Sequence, residues 1–171
     1  MKINTAYKLF RIKNNKLFPL YVDTKIEIPV NQWVAAKEAP QTLNGKVKSK
    51  LGELAYRPGF HLTIIPLADH IGKKQQNGQL YQAKDTVWCE VQYCADNDYT
   101  SIANQNGKTS RDKCLKSIPK NGFYKYKTNP NAKVEWLITS DIKVIKILTH
   151  NDVIKICNKN GYEAQPLEKG E

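Results

Sequence analysis

The sequence predicts an α+β fold: a twisted, mostly antiparallel sheet with two or three short helices, the last packed on the sheet. Three observations carry that expectation. Thr86 to Tyr93 alternates, with Val87, Cys89, Val91 and Tyr93 on one face and Trp88, Glu90 and Gln92 on the other, the two-residue period of a strand. Tyr7 to Ile12 and Leu17 to Val22 flank Asn14-Asn15, and asparagine tolerates the positive φ that a tight hairpin turn requires. Near the end, Thr149-His150-Asn151-Asp152 has the spacing of a capping box, with Asp in place of the usual Glu or Gln.

The remaining elements follow in chain order. After the first hairpin, Pro29 and Asn31 suggest the start of a short helix carrying Trp33, Val34 and Ala36, since Asn accepts a bond from a free amide of the first turn. Residues 40–50 contain Gly and Lys without a clear period and read as a mobile basic loop. Pro58-Gly59 marks a sharp bend that brings Arg57 and His61 together, and Pro66 to Ile71 suggests one or two helical turns. Residues 94–122 are polar and poorly periodic, a length that points to a functional loop or a disordered one. Phe123 to Thr128 alternates Tyr124 and Tyr126 against Lys125 and Lys127, and Trp136 to Leu148 is rich in Ile and Val but broken at Thr139-Ser140-Asp141. That break predicts two strands or one bulged strand. Val153, Ile154 and Cys157 give the final helix one apolar stripe ending at Gly161. One domain over residues 1–162 and a frayed tail over 163–171 account for the chain.

The four cysteines, Cys89, Cys94, Cys114 and Cys157, match no zinc-knuckle or Cys-x-x-Cys spacing and read as free thiols, and the three histidines give no metal-ligand spacing. No metal is expected. Met1 to Phe10 lacks the apolar core of a signal peptide and no run approaches a membrane span, so the expected compartment is the cytoplasm, with no membrane partner. Charge is 27 basic residues against 16 acidic, a net +11. Residues 1–50 hold 10 against 3, residues 101–150 hold 10 against 3, and residues 51–100 hold 4 against 6. Such segregation suits a polyanionic partner: nucleic acid, a phosphate-bearing cofactor or an acidic protein. Lysine kept for solubility alone would give the same total.

The strings Leu51 to His61, Tyr124 to Asn131 and Trp136 to Thr139 resemble an uncharacterised family encoded by bacteriophages and mobile elements of gut bacteria, over about Tyr7 to Gly161. That resemblance implies a bacterial host cell and carries no activity with it. The order of parts, Arg11 on a first strand, Gly59-Phe60-His61-Leu62-Thr63 after a turn, and then Glu90 or Glu135, resembles the layout of ADP-ribosyltransferase-like domains, which bind NAD between split sheets. No Ser-Thr-Ser segment and no Gln-x-Glu or Glu-x-Glu pair is present. On that resemblance Arg11 or Arg57, with Phe60, would bind NAD, and His61 with Glu90 or Glu135 would be catalytic. A guanidinium fork clamps phosphate, an imidazole meets a ribose hydroxyl, and a carboxylate steadies charge on the ribosyl carbon as nicotinamide leaves.

Each of these residues also has a plainer role: Arg57 covering a ring, His61 ending a strand, Glu90 and Glu135 facing water. The competing expectation is a non-enzymatic basic module that binds nucleic acid or blocks an acidic host protein. Its residues are Lys46, Lys48 and Lys50 in the early loop, Lys113, Lys116 and Lys120 in the late one, and Lys125 and Lys127 beside Tyr124 and Tyr126. On an alternating strand those Tyr and Lys side chains take opposite faces.

Overall fold

The computed structural model describes residues 1–74, 78, 80–127 and 130–169. The thirteen strands, in chain order, are β1 (Ile3–Lys13), β2 (Lys16–Phe18), β3 (Trp33–Ala35), β4 (Lys46–Ser49), β5 (Gly52–Ala55), β6 (Phe60–Thr63), β7 (Lys73–Lys74), β8 (Leu80–Tyr81), β9 (Thr86–Cys94), β10 (Asn97–Asp98), β11 (Gly122–Tyr126), β12 (Trp136–Thr139) and β13 (Asp141–Ile147). Two α-helices, α1 (Thr100–Gln105) and α2 (His150–Lys159), and a single 3-10 turn at Ser110–Asp112 complete the described elements.

The main sheet runs β10-β11-β12-β6-β1-β9-β13-β3, with β2 paired to β1. Among the described pairings between these strands, only β10–β11 is parallel. The long β1–β9 ladder, from Ile3↔Cys94 to Arg11↔Thr86, is its spine. Asn14 and Asn15 adopt φ of 51° and 61° in the β1–β2 turn, which therefore has the positive-φ form that twists with its strands. β2 stops at Phe18 because Pro19 follows and has no N–H to continue a ladder.

Directly opposed residues share a face, which sorts the side chains. Ala6, Lys8 and Phe10 of β1 oppose Val91, Cys89 and Val87 of β9 on the inner face, where Leu62, Leu137, Ile142 and Val144 complete a core buried almost entirely. Tyr7, Leu9 and Arg11 oppose Glu90, Trp88 and Thr86 on the outer face. The sheet curls around the inner core until its flanks meet at Ser140, whose amide donates to Gly122 O of β11 and whose carbonyl accepts from Ala36 just after β3. Ser140 separates β12 from β13, so the predicted break is the residue where the chain crosses from one flank to the other. β13 also carries a bulge between Val144 and Lys146; the two-strand and bulged-strand expectations both apply.

The helix α2 lies on the outer face, burying Val153 and Cys157 against Leu9, Trp88 and Leu148. Trp88 is 2 % exposed, and truncating a side chain of that size in such a site costs about 3–5 kcal/mol. Both halves of the capping box form: Thr149 Oγ1 accepts from the Asp152 amide at 3.1 Å and Asp152 Oδ2 from the Thr149 amide at 3.1 Å. Gly161, at φ 79°, ends the helix. The shorter α1 covers the other end of the outer face, with Ala103 against Tyr124 and Ile138.

Several local expectations differ from the structure. The helix expected after Asn31 is the edge strand β3: Asn31 takes φ 64° and the Trp-Val-Ala run pairs with the open side of β13 through Trp33↔Lys143. Those side chains favour a pleated surface, and β13 offers one. The second half of the expected loop at 40–50 belongs to the β4–β5 hairpin, pinned by buried Val47 and by Ser49 Oγ donating to Gly52 O at 2.7 Å. Pro66 to Ile71 forms bends and one tight turn, Ile71 N donating to Ala68 O at 3.0 Å, with Leu67 and Ala68 buried in the cluster under α2 and Pro66 O accepting from the Cys157 thiol. Residues 94–122 hold β10, α1 and the 3-10 turn. The segment expected to fray is docked up to Glu168: Gln82 N donates to Pro166 O and Glu168 N to Gln82 O, each at 2.8 Å. Thr128, placed at the end of a predicted strand, lies outside the described residues.

Candidate nucleic-acid interface

The site is built on the bend after β5. Tyr56 and Pro58 are buried, and Gly59, at φ 131°, passes so close to β12 that a Cβ there would stand 2.6 Å from Ile138 Cγ2. Only glycine takes both that φ and that approach. The bend leaves Arg57 over the Tyr126 ring, guanidinium carbon 5.0 Å from the centroid, with Nη2 donating to Arg111 O at 2.9 Å. His61, on β6 opposite Ile138, sets its ring edge-on to Tyr126 and Trp136 at 6.3 Å each. Arg57 and His61 therefore meet on Tyr126, as the Pro-Gly bend predicts.

The electrostatics of this corner are cationic. Burial, followed by the Lys8 and Arg57 charges, pushes the His61 imidazole down to about 3. At neutral pH the ring is uncharged, and its Nδ1, 3.3 Å from Gly59 O, carries the proton. Lys8 comes from β1, in the gap where β6 pairs with β1 only at Tyr7↔Thr63 and β2 joins only from Arg11. Its ammonium donates to His61 O at 3.0 Å and stands 5.5 and 5.9 Å from the Phe10 and Phe60 rings. Burial lowers Lys8 to about 8. Phe60 thus packs on the inner face beside Lys8, turned away from Arg57 and His61.

The other predicted residues lie apart. Arg11 donates from Nη2 to Thr24 O and covers the Phe18 ring at 5.7 Å, beside the first hairpin; four residues along β1 from Tyr7, it is roughly 13 Å further up the strand. Glu90 opposes Tyr7 and raises its phenol, burial being the larger cause. The charges acting on His61 are those of Lys8 and Arg57, and no carboxylate is among them. Glu135 is half-buried just before β12. Lys46 and Lys48 are exposed on β4, Lys50 is exposed in the turn that follows, and Lys125 and Lys127 are exposed at β11 while Tyr124 and Tyr126 are buried.

What the bend brings together is charge. Residues 46–57 hold four basic residues and one acid, and residues 99–134 hold eight and one; the remaining chain holds 15 basic against 14 acidic. A net +10 of the +11 therefore lies in two segments far apart in sequence. Arg57 joins them by its bond to Arg111 O and its place over Tyr126. Lys46 pairs with Ala55, two residues before Arg57, and Pro119 lies against Gly59. Among the described residues, Lys133 is the one member of these segments with a carboxylate within 4.0 Å, that of Asp69 at 3.7 Å. Sequence reasoning named Lys113, Lys116 and Lys120 but not the tie at Arg111, and it missed Lys8, whose signal is a lysine at an inward position between Ala6 and Phe10.

Among the described residues no group of three or more His, Cys, Asp or Glu side chains is placed to hold a metal ion, and no helix is long and apolar enough to cross a membrane. The four cysteines are unpaired and buried, and burial raises the Cys89 thiol to about 12. No family model, curated protein or solved structure matches this chain.

Proposed function

We propose that this chain is a non-enzymatic module that binds nucleic acid through a basic face formed by the β4–β5 hairpin and the 106–120 loop. The observation that carries the reading is the concentration of nearly all the net charge in two segments tied by Arg57. Lysines kept for solubility have no reason to gather, and gathered lysines with few carboxylates among them, Glu53 beside Lys46 and Lys48 and Asp69 beside Lys133, repel one another unless an anion sits between them. Phosphates are the matching anion, and binding would release their counterions. The test is fluorescence anisotropy with a labelled 20-nucleotide single strand and a 20-bp duplex, on the native chain and on a Lys46→Glu/Lys48→Glu/Lys116→Glu/Lys120→Glu variant. All four positions are exposed, so the fold should survive. Binding that drops at least about a hundredfold in the variant supports the reading, as four lost phosphate contacts would require. Equal binding by both proteins overturns it.

A second reading, the NAD-binding transferase-like site, is favoured by the meeting of Arg57 and His61 on Tyr126. It requires a carboxylate beside that pair. Calorimetric titration with NAD separates the two, because an NAD site would lose its heat on Arg57→Ala and would be indifferent to the lysine reversals.

A further inference from the structure

The 106–117 loop is closed on itself. Asn106 Nδ2 donates to Cys114 O at 2.8 Å, Thr109 Oγ1 to Asp112 Oδ2 at 2.7 Å, and the Cys114 amide to Asp112 O at 2.9 Å. Gly107 packs so tightly on Asp112 that a Cβ would stand 2.2 Å from the Asp112 Cβ. The loop borders a shallow, open bowl of about 650 Å³ lined by residues that include Asn106, Asp112, Leu115, Lys116 and Ser117. The same loop carries Lys108, Arg111 and Lys113 of the basic face.

A duplex keeps its bases stacked inside and offers a protein only groove edges and phosphates, so it has nothing to place in a bowl. A single strand has its bases free. The geometry points to single-stranded nucleic acid as the ligand of the basic face, with one unstacked nucleotide seated in the 106–117 bowl. Its phosphate lies on Lys116, its base against Leu115, and the base amino group on the Asp112 carboxylate. Asp112 Oδ2 accepts from Thr109, and the carboxylate, which is among the lining residues, keeps acceptor capacity beyond that one bond. A carboxylate only accepts, so at Asp112 it favours cytosine or adenine, which carry an exocyclic amino group, over thymine, which carries none. This inference rests on the nucleic-acid reading above and adds to it the strand form and the base.

The test uses anisotropy with labelled dC12, dT12 and a 12-bp duplex against the whole chain, Asp112→Asn and Lys116→Ala. Asn keeps an oxygen for Thr109, so the loop should close as before. The expected result is dC12 binding about fivefold or more tighter than dT12, the worth of one hydrogen bond, with the duplex weaker than both. Asp112→Asn should bring dC12 and dT12 together, and Lys116→Ala should weaken the single strands more than the duplex. Equal binding of all three probes overturns the bowl but leaves the basic face standing. Binding of none of them overturns both. Should Asp112→Asn lower the melting temperature, Lys116→Ala on the exposed rim decides the matter, and an equal loss for strands and duplex counts against the bowl.

Discussion

Replacing Arg57 with Ala tests whether one side chain joins the two basic segments. The guanidinium gives one hydrogen bond to Arg111 O, at an exposed position, and one cation–π contact to Tyr126, itself 7 % exposed. The first is worth about 1 kcal/mol in that setting and the second about 1 kcal/mol, for a total of about 2 kcal/mol. In a chain of this size that lowers the melting temperature by about 4–8 °C. Arg57→Lys keeps the charge but loses the flat fork that meets a ring and a carbonyl together, so it should recover less than half of the loss. Circular dichroism gives the melting temperatures, and hydrogen exchange at the amides of residues 108–116 shows whether the loop has come loose. A melting temperature within about 1 °C of the native one, with unchanged exchange in that loop, would refute the reasoning.

Other outcomes follow from the buried titratable groups. Lys8 lies near 8 in the folded chain against about 10.5 unfolded, so below pH 8 its burial costs about 3 kcal/mol. The unfolded chain holds its proton through the window from 8 to 10.5 while the folded chain sheds it, and stability therefore rises with pH there. Cys89, raised to about 12, acts in the opposite sense above pH 9; urea unfolding from pH 7.5 to 9 should show the rise, and Lys8→Met should be more stable at pH 7 and flat over that range. A native chain that is also flat would show that Lys8 is not buried as a charge. His61 lies near 3 against about 6.5 unfolded, so its contribution is present above 6.5 and is lost as pH falls toward 3, about 2 kcal/mol at pH 5. The His61→Phe variant, edge-on to the same rings, should lose less stability than the native chain between pH 6.5 and 5 in thermal melts, and parallel losses would contradict the account.

The parts of the fold legible in the sequence were those where local chemistry and tertiary pairing agree. The β9 alternation, the Asn14-Asn15 turn and the Thr149/Asp152 box each contain their own reason and each appear. The Trp33 segment was misread because Asn31 looks like a helix cap when only its own residues are considered, and the free edge of β13 that turns it into a strand lies more than a hundred residues away. The β4–β5 hairpin was hidden for a similar reason: only Val47 is buried on β4, which leaves little period to detect. At the site, the Pro58-Gly59 bend was enough to place Arg57 beside His61. The neutrality of His61 was not legible, since it depends first on its burial in the folded chain and then on the charges of Lys8 and Arg57, which come from elements distant in sequence. Glu90 lies apart from Arg57 and His61 because a strand position fixes a side chain to one face but says nothing of which distant strand faces it.

The central claim is that phosphates meet the joined basic segments, and its most direct test is the salt dependence of binding. Affinity for a labelled single strand measured from 50 to 300 mM salt should fall on a straight line of log K against log salt with a slope of about −3 to −5, as five or so neutralised phosphates require. The same plot for Lys46→Glu/Lys48→Glu/Lys116→Glu/Lys120→Glu should be nearly flat at much weaker affinity. A native slope near zero, or a slope the four reversals leave unchanged, would contradict the account.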